Sequence, residues 1–329
     1  MLKSIARLFF VGSITFLIVK LSTFGWTFDF SSKAKTKPDA EALAGRLKDH
    51  VYTLSHEIGE RDVFGYYANL ERSEDYIADV FKKHGYDVSF QEYVVADRKV
   101  RNIIAVKKGT QRPGEIVLIG AHYDTCANPG ANDNASGIAG LLELAGLISE
   151  QPAKRTIEFI AFVNEEPPFF QTRNMGSRVY AKAARERGDD IRAVVILECL
   201  GIYSERLFSQ RYPALVGFFY PNKADYIAVV GNFKSRLLVG EVASGLRTIS
   251  DLPVVTLALN LSPAIAFSDH WSFWQEGYAA VMVTDTAFFR SRTYHQPSDT
   301  YEKLNYQKMA SVVKGLETFV LKEANQEAS

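Results

Sequence analysis

Apolar positions between Ala40 and Ala324 follow two periods, and each period marks an element. Leu43, Leu47, Val51 and Leu54 recur at helical spacing and predict an amphipathic helix over 40–58. Tyr76, Ile77, Val80 and Phe81 predict a second over 72–84, closed by Gly85. Val88, Phe90, Tyr93 and Val95 lie on a broken period of two and predict a strand over 87–95; the apolar run 102–106 predicts another. Beyond these, runs at 116–120, 156–163, 193–197 and 279–283 read as buried strands. Segments 136–149, 179–186 and 306–324 read as helices. Strands that alternate with helices predict an α/β fold, a mostly parallel mixed sheet flanked by helices on both faces. No linker interrupts 40–329, so one domain is expected, with 206–263 as a loop-rich excursion over one end of it.

The first 39 residues break this pattern. Lys3 and Arg7 precede the apolar run 8–19, Lys20 interrupts it, and Phe24, Trp26, Phe28 and Phe30 follow. The run is short for a membrane span and resembles the apolar part of a signal peptide. No small-x-small cleavage site follows, and the aromatics resemble interfacial anchors. Residues 1–30 are therefore expected to be an uncleaved signal anchor, with cleavage of a signal peptide as the alternative. Residues 31–39 form a polar linker, and the domain that follows, 40–329, is expected outside the cytoplasm, membrane-anchored or secreted.

Composition narrows the partners. The chain has 329 residues, 47% hydrophobic and 23% charged, which suits a globular domain. Lys+Arg and Asp+Glu are equal at 38, so no basic field exists to attract nucleic acid. The two cysteines, Cys126 and Cys199, exclude a disulfide framework and a Cys-rich zinc module. A bond between them is conceivable, but two small, partly buried thiols are the favoured reading.

Candidate chemistry gathers where strands end. The run at 116–120 leads into His122 and Asp124, and a loop rich in Pro, Gly and Asn then presents Asp133. Glu165 and Glu166 follow the strand at 156–163, Glu198 follows that at 193–197, and His295 follows the last strand. Ligands in open α/β sheets collect outside the carboxyl ends of strands. Each residue has a plain alternative: His122 as a solvated imidazole, Asp133 as a helix cap, the Glu pair as a solvated loop. Pro167 and Pro168 fix the backbone after that pair, and Glu198 sits among apolar neighbours where a charge must be paired or metal-bound. Two imidazoles with several carboxylates form the mixed N/O set that suits zinc. Two metals about 3.5–4 Å apart need a bridging carboxylate, and a separate carboxylate must take a proton from water. Glu165 and Glu166 can divide that labour. Asp124 can accept the hydrogen bond from the free nitrogen of His122.

The segments AHYDT, PGANDNASG, NEEPPFF with NMGSRVYA, LECLG, SDHWSFW and YHQPSDT occur in the order found in zinc aminopeptidases of peptidase family M28, which this chain resembles from about Ala40 onward. The resemblance implies the zinc-exopeptidase, phosphorylase/hydrolase-like fold and two zinc ions acting on peptide substrates. It implies His122, Asp133 and Glu198 on one zinc and Asp133, Glu166 and His295 on the other, with Asp133 bridging and Glu165 as general base. Many relatives carry Asp in place of Glu198, so occupancy of the second zinc is the point left open. No motif identifies the transition-state donor; Tyr203, Tyr212 and His270 are candidates. SDHWSFW is expected to line the pocket wall, with Asp269 and His270 as supporting residues or a structural pair. Phe169, Phe170, Phe288 and Phe289 flank the site loops and suggest an apolar specificity pocket, against ordinary core packing.

The leading expectation is a two-zinc aminopeptidase. Its rivals are a single-zinc glutaminyl cyclase, a carboxypeptidase of the same fold, and a membrane-tethered binding protein without catalysis.

Overall fold

A computed structural model describes residues 38–212, 217, 220–248, 252–259 and 263–327. The expected anchor and most of the linker lie outside these residues. Among the described residues, no helix is long and apolar enough to cross a membrane.

The chain begins with α1 (Pro38–Tyr52), which runs into a wider turn at Thr53–Ile58, and α2 (Tyr67–Lys83). An antiparallel pair follows, β1 (Asp87–Val95) and β2 (Arg98–Lys107). Then come β3 (Arg112–His122), α3 (Ser136–Ile148), β4 (Arg155–Phe162), α4 (Gly176–Arg187) and β5 (Asp190–Glu198). The remainder is β6 (Ile227–Gly231), α5 (Arg236–Arg247), β7 (Val254–Ala258), α6 (His270–Gln275), β8 (Ala280–Thr284) and α7 (Tyr306–Asn325).

Among the described residues, eight strands form one sheet in the order β1-β2-β4-β3-β5-β8-β6-β7. The central pairs β4–β3, β3–β5 and β5–β8 are parallel, as is β6–β7, while β1–β2, β2–β4 and β6–β8 are antiparallel. Side chains alternate across the central strands as a pleat requires. Val117, Ile119, Ala121, Ala193, Val195 and Leu197 join the core beneath α1, α2, α3, α5 and α7. Ile116, Leu118, Val194 and Ile196 join the opposite core with Tyr180, Ala181 and Ala184 of α4 and Phe273 of α6. Central strands are thus apolar on both faces, which is why they read as continuous runs.

One expectation needs correction. Residues 206–263 are not a loop excursion throughout: β6, α5 and β7 lie within them and complete one edge of the sheet. IAVVG and VVTLA are short apolar runs, and Leu238, Val239, Val242 and Leu246 bury one face of α5. Helix α2 also starts at Tyr67, five residues before the periodic segment, and its first turn buries Leu70.

Candidate metal centre and its clefts

Strand β3 lies between β4 and β5, so its last residue, His122, emerges fully buried at the carboxyl edge of the sheet. Its Nδ1 is 3.2 Å from the backbone carbonyl of Asp124. A carbonyl only accepts, so Nδ1 carries the proton and Nε2 turns a lone pair into the site. There Nε2 lies 3.2 Å from Asp133 Oδ1, 3.3 Å from Glu198 Oε2 and 3.9 Å from Glu165 Oε2.

Asp133 sits in a turn, Ala131–Ala135, that is fastened from several sides. Asp299 accepts from the peptide N–H groups of Asn132 and Asp133. Asn132 donates to Asp285 Oδ2 and accepts from Gly201 N–H. The helix-capping alternative weighed for Asp133 belongs to its neighbour: Asn134 Oδ1 accepts from Gly137 N–H and Cys199 N–H, while its amide donates to the Leu197 carbonyl. Gly137 must be glycine, since a Cβ there would stand 2.3 Å from Asn134 Oδ1 and 2.6 Å from the Leu197 carbonyl. Relieved of capping, Asp133 turns Oδ1 to His122 and Oδ2 to His295, 3.1 Å away.

The remaining candidates converge on the same two points. His295 Nε2 is also 3.1 Å from Glu166 Oε2, and its ring stacks on Tyr294 with centroids 4.0 Å apart. Glu198 ends β5; its Oε2 accepts from Ser268 Oγ and its Oε1 from Cys199 Sγ. Asp124 holds the acidic pair in place, its two oxygens each 3.1 Å from the peptide N–H of Glu165 or Glu166. Its contact with His122 Nδ1 is longer, 3.6 Å, so the imidazole's short contact is to the Asp124 carbonyl rather than to the carboxylate expected.

The electrostatics call for cations. Burial opposes a charged His122, yet Glu198 and Glu165 hold its pKa well above the ordinary value. Burial likewise opposes ionised Asp133, yet the adjacent imidazoles of His122 and His295 hold its carboxyl low. Burial, with Asp133 beside it, pushes Glu166 up to about 8. Burial pushes Glu165 well above the carboxylate range; His122 opposes this and Glu166 and Glu198 add to it. His295 rises to about 10 against its burial, through Asp133 and Glu166. His122 Nε2, Asp133 Oδ2, Glu166 Oε1 and His295 Nε2 are buried atoms without a hydrogen-bond partner. Buried polar atoms with no partner are rare, and acceptors aimed at one another are what a cation between them satisfies. The residues therefore fit a metal: His122, Asp133 and Glu198 bring donor atoms within 4.8 Å of one another, and so do Cys126, Glu166 and His295.

Two clefts flank this centre. One, of about 140 Å³, is apolar and runs from Glu198 past Tyr226, Ala228, Val230, Phe267 and Met282. Phe288 and Phe289 line it as expected, while Phe170 packs edge-on against Phe267 and Phe169 stacks on Phe64 across the centre. The other, of about 300 Å³, opens beside Glu166 and Cys126 and is rimmed by Glu60, Asp62, Phe64 and Phe169. Neither cleft is lined by Lys or Arg among the described residues.

Of the donor candidates, only Tyr212 lines the apolar cleft, and its hydroxyl is 2.7 Å from that of Tyr226. Tyr203 lies under Arg290. His270 donates to the Ile265 carbonyl, and no bond joins it to Asp269, so the structural pair is not formed. Asp269 is instead buried near the centre, its carboxyl pushed up to about 7 by burial against the pull of His122. Both cysteines are free thiols.

Sequence reasoning missed Arg61, Asp299, Asn132 and Asn134. Arg61 is fully buried beneath the centre, its guanidinium donating to the carbonyls of Leu54, Gly59, Tyr123, Pro129 and Gly130. The others lie inside recognised segments, among polar neighbours that gave no signal to single them out.

Peptidase family M28 matches residues 102–320. The uncharacterized protein YfbL of Escherichia coli is 41% identical over 263 residues, which span 77% of this chain and 80% of YfbL. The zinc aminopeptidase BSAP of Bacillus subtilis superposes with a TM-score of 0.68 at 17% identity, covering 86% of this chain and 95% of BSAP. A glutaminyl cyclase of Bacteroides thetaiotaomicron, bound to N-acetylhistamine, superposes with a TM-score of 0.63 at 16% identity, covering 89% and 100%.

Proposed function

The chain belongs to peptidase family M28, and from that premise we propose that it is an aminopeptidase that uses two zinc ions to remove the N-terminal residue of peptides. One observation carries the proposal: Asp133 turns its two oxygens to two different histidines, each with a further carboxylate beside it. His122, Glu198 and Asp133 Oδ1 would hold one zinc; His295, Glu166 and Asp133 Oδ2 would hold the other. When bound, zinc polarises the scissile carbonyl and acidifies water toward a pKa of about 7.

The protein's own groups do the rest. Glu165 stands within reach of the centre without a short contact to either histidine, which suits a base that takes a proton from the attacking water. Its burial strengthens its hold on a proton, which suits taking one from water, and the proton would then pass to the leaving amine. Asp124 keeps Glu165 and Glu166 in register by accepting from both peptide N–H groups. The apolar cleft beside Glu198 would take the side chain of the first residue and keep water from it. Carboxylates crowd the centre and no cation lines either cleft among the described residues, which favours a substrate ammonium over a substrate carboxylate. That argues against a carboxypeptidase.

A glutaminyl cyclase shares the fold but would need one zinc, leaving the Glu166–His295 contact without a cation to justify it. Metal analysis and paired assays separate the readings: two zinc ions per chain and turnover of Leu- or Ala-anilides are expected, with no cyclisation of N-terminal Gln peptides. Glu165→Gln should keep its zinc while kcat falls by roughly 10²–10⁴-fold; unchanged turnover would remove the base. A folded protein that binds no zinc would revive the non-catalytic reading.

A further inference from the structure

We propose that Cys126 is an additional protein ligand of the metal held by Glu166 and His295, binding it as a thiolate. This rests on the two-metal reading above and adds a donor to it. Cys126 Sγ, a Glu166 carboxylate oxygen and a His295 nitrogen all lie within 4.8 Å of one another. Donors at about 2.0–2.3 Å around a tetrahedral ion stand roughly 3.3–3.8 Å apart, so closing this trio on an ion takes a contraction on the order of 1 Å. A second observation points to the same place: Glu166 Oε1 is buried and has no hydrogen-bond partner.

The thiol is held in position rather than carried on a loose loop. Thr125 N–H donates to the Arg61 carbonyl, and Arg61 N–H donates back to Thr125 Oγ1. Asn128 donates to the Cys126 carbonyl and accepts from Gly130 N–H. The Arg61 guanidinium then binds the carbonyls of Pro129 and Gly130. Gly130 permits the turn with φ of +63°; a Cβ there would meet Thr125 Cγ2 at 2.2 Å. The backbone on both sides of Cys126 is thus anchored to a buried guanidinium, while its side chain lines the cleft beside Glu166.

The consequence is an asymmetric centre. Asp133 Oδ2, Glu166, His295 and Cys126 make four protein donors, the number that fills a tetrahedral zinc site. His122, Glu198 and Asp133 Oδ1 make three and leave one position for substrate chemistry. The metal beside Cys126 would then be the more firmly held of the two.

Cobalt titration of the full-length apoprotein tests this. With two equivalents bound, wild type should show a near-ultraviolet sulfur-to-cobalt charge-transfer band. Cys126→Ser should lose that band, keep the visible ligand-field bands of the other site, and bind one equivalent roughly 10–100-fold more weakly, the scale of loss seen when a site loses a supporting group. Alkylation gives a readout that needs no variant: at alkaline pH, where the thiolate forms, Cys126, partly exposed, should react with iodoacetamide in the apoprotein and be protected by the second equivalent, while buried Cys199 stays unreactive. Two bound equivalents without the band, or a band that survives in Cys126→Ser, overturn the thiolate ligand and leave the two-metal reading standing. One equivalent with no band overturns both.

Discussion

Replacing Arg61 with Met tests what holds the candidate centre together. The guanidinium is fully buried and donates to five backbone carbonyls, at 2.5 Å to Tyr123, 3.2 Å to Leu54, 3.0 Å to Gly59, 2.9 Å to Pro129 and 3.2 Å to Gly130. Those carbonyls come from the turn after α1, the end of β3 and the loop before Asp133, so one side chain ties three segments together. Burial lowers the Arg61 pKa to about 10, against the pull of Asp124, Asp133, Asp299 and Glu166, so it stays charged at neutral pH. A buried acceptor left alone costs about 1–3 kcal/mol. The low end applies, because a loosened loop admits water; five acceptors then total about 5 kcal/mol. Removing a buried charge returns part of its desolvation cost, which leaves a net loss of about 3–5 kcal/mol, the range for breaking a buried charged contact. A domain of this size shifts its Tm by about 2–4 °C per kcal/mol, so a fall of roughly 10 °C is expected. Urea and thermal unfolding of the metal-free protein would measure it without a contribution from zinc. Limited proteolysis should cut the variant first within 125–130. A change under about 1 kcal/mol with no new cleavage would refute the argument that this one side chain fastens the site.

Three further outcomes follow from the described geometry and the sequence. Ala228→Leu narrows the apolar cleft beside Glu198; kcat/KM for Leu and Phe substrates should fall at least tenfold and that for Ala by less than about threefold, since a methylene in a pocket is worth about 1–3 kcal/mol; equal losses for all three would remove the cleft as the specificity pocket. Burial lowers the pKa of His270 to about 4, because its Nδ1 has no partner to receive a proton while Nε2 donates to Ile265. Between about pH 6.5 and 4 the unfolded chain therefore binds a proton that the folded one refuses, so stability present above that window falls as pH falls, by about 3 kcal/mol in all; the difference between wild type and His270→Gln in urea midpoints of metal-free protein should carry that slope, and parallel curves would contradict it. Finally, we propose that residues 1–30 tether the chain with its catalytic domain outside the cytoplasm: full-length protein should sediment with membranes through an alkaline wash and be cut by protease added to intact spheroplasts, and recovery in the soluble fraction would exclude the tether.

The sheet's centre was readable because a strand buried on both faces must be apolar at every position, and Ile116–Gly120 and Ala193–Leu197 obey that rule. The segment 206–263 was misread for the opposite reason. Its two strands are five residues each and lie near the sheet edge, so they offer little apolar length against the polar, aromatic stretch before them. Arg61 left no trace in the pattern at all. Its partners are all backbone carbonyls, and every residue has one, so no neighbouring side chain marks where a buried guanidinium will sit.

The limit is sharpest between Asp133 and Asn134. Both side chains can cap a helix, they are adjacent, and the helix begins two residues later at Ser136. What separates them is the neutral amide of Asn134, which donates to Leu197 while its oxygen accepts from Gly137 and Cys199. A carboxylate could not donate, so exchanging the two residues would leave the Leu197 carbonyl without its partner. An amide at 133, conversely, would give His122 and His295 only one oxygen to share. The order Asp-Asn is therefore fixed by two demands at once, one from the end of β5 and one from the histidines, and neither is local in sequence. Asp133→Asn should accordingly abolish high-affinity metal binding with little change in the helix, whereas Asn134→Asp should destabilise the fold by about 1–3 kcal/mol through the buried carbonyl it abandons. If the two variants lost metal and stability in equal measure, this division of labour between neighbours would be wrong.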